Sequence, residues 1–132
     1  MIDRAKFAQI RDEIIATKGD LALFALFLRE GVEDRWDLLV SASWLDRDEA
    51  SGLRFLTKKL TAKLSEREML ELSRIVVIEQ SDPGLRKLLR ELTVEDGSVR
   101  EMENTQFAGL SLSRAIIFEA KPTTLVASRN GA

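Results

Sequence analysis

The stretch Ile116-Ile-Phe-Glu119-Ala-Lys121 carries the pair of side chains best spaced to do chemistry. Strand side chains alternate from face to face, so Glu119 and Lys121, one residue apart, point the same way. A carboxylate so placed can bind a divalent cation, and a lysine beside it can orient water or a phosphate oxygen. Such an acid works with a further carboxylate on a neighbouring strand, and Glu95 and Asp96 are the candidates. A second acid, Asp37, lies in the apolar run Trp36-Asp-Leu-Leu-Val40. The chain has no histidine, cysteine or tyrosine. A histidine-based serine triad, thiol chemistry, a disulfide framework and the softer metal sites are therefore closed to it.

Two short motifs resemble known families. Ile116 to Lys121 resembles the second half of the PD-(D/E)xK nuclease motif, which implies Glu119 as a metal ligand and Lys121 as an orienting cation. No Pro-Asp pair precedes it, and Pro122 follows where that family has a helix. Leu23-Phe24 with Arg35-Trp36-Asp37-Leu-Leu-Val40 resembles the small nucleotidyltransferase pattern LFGS…DxDLLV, which implies Asp37 as a metal ligand. Here Ala25-Leu26 replaces the Gly-Ser pair, and Arg35 stands where the first aspartate belongs. Each motif lacks a part that its chemistry requires, so a metal-dependent nuclease-like or degenerate nucleotidyltransferase-like domain is the alternative reading. No metal site and no cofactor is assigned.

Other signals have a structural explanation beside the functional one. Trp36 and Trp44 bracket an apolar strand and could line a binding site, but indoles in that position are as often core. Arg54, Lys58, Lys59 and Lys63, with Arg67 and Arg74 beyond, could meet phosphates. Long cationic side chains also commonly solvate the outer face of an amphipathic helix. Ser41, Ser43 and Asp46 gather where a strand gives way to a helix. With no histidine the usual triad is closed, which leaves a Ser-Lys arrangement, and nothing in the sequence places Lys58 or Lys59 near Ser41. The seven glycines are scattered, and neither GxGxxG nor GxxxxGK[ST] occurs. The helix starts at Asp46 and Asp82 are occupied by carboxylates of their own.

The elements that must hold these residues follow from periodicity. Phe7, Ile10 and Ile14 define an amphipathic helix, with Arg4, Lys6, Arg11, Asp12 and Glu13 on other faces and Lys18-Gly19 at its end. Leu21–Leu28 is an unbroken apolar run bracketed by Gly19-Asp20 and Glu30-Gly31, which favours a strand over a helix. Trp36–Ala42 is a second strand. Asp46 and Glu49 have capping-box spacing, and Leu53, Leu56, Leu60 and Leu64 stripe the helix that follows. Ser65 with Glu68 restarts a short helix. The β-branched run Ile75–Ile78 predicts an interior strand, able to lie parallel to an earlier one through a right-handed crossover. Asp82-Pro83 opens a helix with Leu85, Leu88, Leu89 and Leu92 on its buried face. Val94–Thr105 reads as polar and broken at Asp96-Gly97. Phe107–Leu112 and Ala115–Ala120 read as two strands turning near Ser113, and residues 122–132 as a tail.

The order α-β-β-α-α-β-α-β-β predicts an α/β or α+β domain over residues 1–121. Its core is a single mixed sheet of about five strands under three to four helices. The 132 residues, 45% apolar and 32% charged, suit one globular domain. A net charge of −2 does not advertise nucleic acid or anionic membrane as a partner. No apolar run is long enough to cross a bilayer as a helix, and Met1–Lys6 does not lead into a secretory h-region, so a cytoplasmic location is expected. The expected function is non-catalytic, through protein contacts or self-association, with a homodimer that hides an edge strand as one form.

Overall fold

The computed structural model describes residues 2–122; the expected tail beyond Pro122 lies outside the described residues. Among those described, five helices and five strands follow one another as α1 (Arg4–Lys18), β1 (Leu23–Arg29), β2 (Trp36–Ser41), α2 (Ser43–Arg47), α3 (Glu49–Lys63), α4 (Glu66–Met69), β3 (Leu72–Val77), α5 (Pro83–Glu91), β4 (Arg100–Phe107) and β5 (Leu110–Ala120). The strands form one mixed sheet in the order β3-β2-β1-β5-β4. This is an α+β domain whose elements come in the order the periodicity predicts.

The sheet's centre explains its register. β1 pairs antiparallel with both β2 and β5, so the apolar run is covered on both sides and on both faces. Phe24 and Leu26 join a core built with Phe7, Ile10 and Ile14 of α1, Trp44 and Leu45 of α2, and Leu56 and Leu60 of α3. Leu23, Ala25 and Phe27 turn to the other face, under Leu85, Leu88 and Leu89 of α5. A strand buried on both faces has no polar face to alternate with, which is why the run is continuous. β2 and β3 are parallel, joined by α2, α3 and α4 as the crossover.

Several helix ends behave as the sequence implies. Asp3 caps α1 through the Lys6 amide, and Gly19 ends it at φ 103°, a conformation that costs glycine little. Ser65 and Glu68 form a capping box, and Asp82 accepts from the Leu85 amide with Pro83 in the first turn. The cap of the long helix differs from the expectation. Asp48, not Asp46, caps α3 by accepting from Ser51, because Ser43–Arg47 winds into its own short helix first. Asp46 instead accepts from the Gln80 amide at 3.4 Å, tying that helix to the exit of β3.

Three strand expectations are corrected. β3 is not interior but an edge strand, half-buried, because the crossover carries it outside β2 and no later strand among the described residues joins it. The polar segment read as broken coil contains β4, a charged strand that needs no apolar pattern because it is the other edge. Phe107–Leu112 and Ala115–Ala120 are not two strands: β5 runs through Ser113, and the turn is at Ala108-Gly109, both at positive φ. What lies at Ser113 is a register shift against β1, where the Ser113 hydroxyl donates to the Leu28 carbonyl.

Gly52 marks the tightest packing between helices. A Cβ there would stand 2.3 Å from Leu45 Cδ2 and 3.3 Å from Trp44 Cζ3. In an exposed helix Gly→Ala gains about 1 kcal/mol. Here overpacking reverses the sign: Gly52→Ala is expected to destabilise by about 1–3 kcal/mol in urea denaturation. A gain in stability would show that Leu45 can move aside.

Candidate functional site

One end of the sheet gathers charge. There the C-terminal ends of β2, β3 and β5 meet, and Glu119 of β5 is buried at 3% exposure. Its position depends on an irregularity. β5 shifts register against β1 between Ala25 and Phe24, leaving Phe118 without a β1 partner and Glu119 opposite Phe24. Phe24 belongs to the α1–α3 core, so the bulge turns Glu119 toward that face instead of the α5 face that strict alternation from Ile117 would give. Lys121 stays on the same side, its Nζ 3.7 Å from Glu119 Oε2 and 3.8 Å from Glu95 Oε1. The structure thus brings together Glu119, Lys121 and Glu95, while Asp96 sits exposed in its turn at φ 58°.

Arg11 completes this arrangement, and it is the residue that the sequence reading put on an outer face. It is 2% exposed; Nη1 donates to the Phe118 carbonyl at 2.8 Å and to the Ser98 carbonyl at 3.2 Å, and Nε donates to Asp12 at 2.9 Å. The signal was present. Phe7, Ile10, Arg11 and Ile14 stand at i, i+3, i+4 and i+7, so position 11 falls within the buried stripe. A guanidinium buried there needs acceptors, and the bulged carbonyl of Phe118 is one.

The electrostatics of Glu119 follow. Burial pushes its carboxyl above the usual range, against Lys121 and Arg11, which pull it down; Glu95 and Asp20 add to the upward push. The group is a buried acid with Lys121 beside it, and Arg11 acts on it through charge without bonding to it. Metal chemistry of the nuclease kind needs carboxylates converging on one point. Among the described residues no group of three or more acids is placed to hold an ion.

Asp37 has the opposite surroundings at the other end of the sheet. It is 3% exposed and accepts from Arg29 Nε at 2.9 Å, Arg74 Nε at 3.2 Å and Arg74 Nη2 at 3.3 Å. Arg29 and Arg74 reach it from the two flanking strands, so its lone pairs are directed at guanidinium hydrogens. That is a cross-strand brace rather than a cation ligand.

The remaining candidates disperse. Trp36 lies in the core under the Arg114 guanidinium, 5.5 Å from its ring. Trp44 packs edge-on to Phe55 with Lys18 Nζ 6.0 Å away, and its indole N–H is buried without an acceptor. Lys59 and Lys63 of α3 pair with Glu13 of α1 at 3.2 and 2.9 Å, so they clamp two helices. Arg54 and Lys58 stay on the exposed face of α3. The basic stripe is thereby divided. Ser41 is fully buried with its hydroxyl unpaired, and Ser43 is the first residue of α2, whose cap position is Ala42. No described helix is long and apolar enough to cross a membrane.

The sheet's two edges differ more than its two ends. β4 is lined by Arg100, Glu101, Glu103 and Gln106 and carries Asn104 at φ 51°, features that discourage a further strand. Arg4 and Arg114 both bond to Glu101, adding charge along that rim. β3 presents Ile75, Val76 and Val77, half-buried, with Leu70 73% exposed just before it. Ile78 donates to Val40 on β2. Strand alternation then aims the main-chain groups of Val76 at β2 as well, and those of Ile75 and Val77 outward. Among the described residues no strand takes them up.

Comparison with known proteins found no match among family models, curated proteins or solved structures. The fold and the two edges therefore carry the functional argument.

Replacing Glu119 by glutamine tests its electrostatics. A carboxyl raised in the folded state favours folding while protonated and loses that contribution as pH rises through its folded value. Glu119→Gln is expected to melt at or above the wild-type temperature at pH 7. This advantage should vanish as pH falls below the ordinary glutamate range, about 4.3. A neutral-pH melting point well below wild type would show that the ion pair with Lys121 outweighs burial.

Proposed function

We propose that this chain acts by protein contact rather than catalysis, accepting an extended segment along the outer edge of β3. The difference between the edges carries this reading: β4 is charged and irregular, while β3 presents the apolar run Ile75–Val77 with no strand beyond it among the described residues. An edge strand offers a row of unpaired donors and acceptors, and strand addition is a common way for a protein to use one. The exposed Leu70 extends the apolar rim at the start of β3. The acids that could support catalysis are engaged in structural contacts: Asp37 between two arginines, and Glu119 beside Lys121 under the bulge held by Arg11. The absence of cysteine fits a reducing compartment such as the cytoplasm.

A short labelled peptide of alternating threonine and valine, with lysine at each end, should bind with saturable fluorescence anisotropy. Val77→Pro, which removes an outward donor, and Ile75→Lys, which charges the edge, should each weaken binding about tenfold or more. Lys58→Glu/Lys59→Glu should not. Circular dichroism establishes that each variant folds. Absence of peptide binding, with no association of the chain at any concentration, would overturn the reading.

A further inference from the structure

The run across the open edge reads Arg74-Ile-Val-Val-Ile-Glu79, a basic residue, four apolar ones and an acid. Reversed, it still places apolar residues opposite apolar ones and exchanges the two charges. Laid against a parallel copy, Arg74 would meet Arg74 and Glu79 would meet Glu79. Laid antiparallel, each Arg74 comes to the end of the strand where the other copy's Glu79 lies. An edge of this composition is complementary to itself in one direction only.

We infer that the segment received by β3 is the β3 of a second copy, paired antiparallel about a two-fold axis to make one continuous ten-stranded sheet. This rests on the strand-addition reading and names its partner. Directly opposed residues in an antiparallel pair share a face, so a two-fold perpendicular to the sheet must pass where a residue meets its own copy. Centred on Ile75, the pairing would oppose Glu71 and Glu79. Centred on Val77, it would put Glu79 against Ile75. Centred on Val76, Ile75 meets Val77, and Ile78 meets Arg74, whose aliphatic stem can cover it. Ile75 and Val77 own the outward main-chain groups, so they form the hydrogen-bonded pairs, and the Val76 pair is the close, non-bonded one. Arg74, 53% exposed at the edge and already braced by Asp37, needs little ordering to serve there.

That register fixes a measurable distance. Cα atoms of a non-hydrogen-bonded antiparallel pair are about 4.5 Å apart, within the span a disulfide bridges. The chain has no native cysteine, so Val76→Cys introduces a single reporter. Light scattering on the wild type from micromolar to several hundred micromolar should give a monomer–dimer equilibrium. Val77→Pro and Ile75→Lys should weaken it by about tenfold or more. Under mild oxidation Val76→Cys should convert to covalent dimer, while Thr57→Cys on the exposed face of α3 should not. A wild type that stays monomeric throughout overturns the dimer. If that monomer still binds the threonine–valine peptide, strand addition stands with a different partner, and if it does not, both fall. A dimer indifferent to the edge substitutions, or one in which Val76→Cys fails to crosslink, places the interface elsewhere and also overturns the inference.

Discussion

An open sheet has two rims, and each rim leaves a row of main-chain donors and acceptors without a partner inside the sheet. Water can satisfy them, but an apolar rim excludes water from part of its length and favours another strand. In this domain the crossover from β2 carries β3 to the outside, while the later hairpin of β4 and β5 attaches to the far side of β1. The chain therefore ends its sheet with two unlike strands. β4 carries charges and a residue at positive φ, and β3 carries valine and isoleucine. The functional proposals follow from that unlikeness.

The interior shows what the charged residues do instead of chemistry. Every polar group taken from water needs a partner, and an unmade hydrogen bond costs about 1–3 kcal/mol. Arg11 satisfies its guanidinium on two carbonyls and a carboxylate, one of the carbonyls freed by the bulge in β5. Asp37 is satisfied by arginines from both neighbouring strands. These contacts connect α1 to β5, and β1 to β2 and β3. They explain why residues of catalytic type are buried without converging. Among the described residues the exceptions are the Ser41 hydroxyl and the Trp44 indole N–H, which lack a partner there, both at the junction of β2 and α2.

Much of the fold was legible because it rests on patterns that local packing enforces. A continuous apolar run bounded by glycines is a doubly covered strand, leucines at helical spacing give α3, and Ser65 with Glu68 gives a capping box. The errors came where local pattern and tertiary position part. Asp46 has the right spacing from Glu49 for a cap, but the backbone had already turned into α2, so Asp48 took the role. β4 lacks an apolar rhythm because an edge strand can face water, so its sequence carries the signature of coil. Arg11 lies on the apolar stripe, but its charge argues for an outer face, since the carbonyls of Ser98 and Phe118 that receive it are distant along the chain.

By itself the sequence determined the alternation of helices and strands, the mixed sheet and the absence of histidine, cysteine and tyrosine chemistry. Those depend on side-chain identity and on spacing along one chain. Tertiary structure alone decided which strands are edges, which way Glu119 faces and which carboxylates meet cations. Edge position depends on where every other strand docks. Facing depends on a one-residue bulge that reverses alternation, and each ion pair joins residues that only the folded sheet brings together.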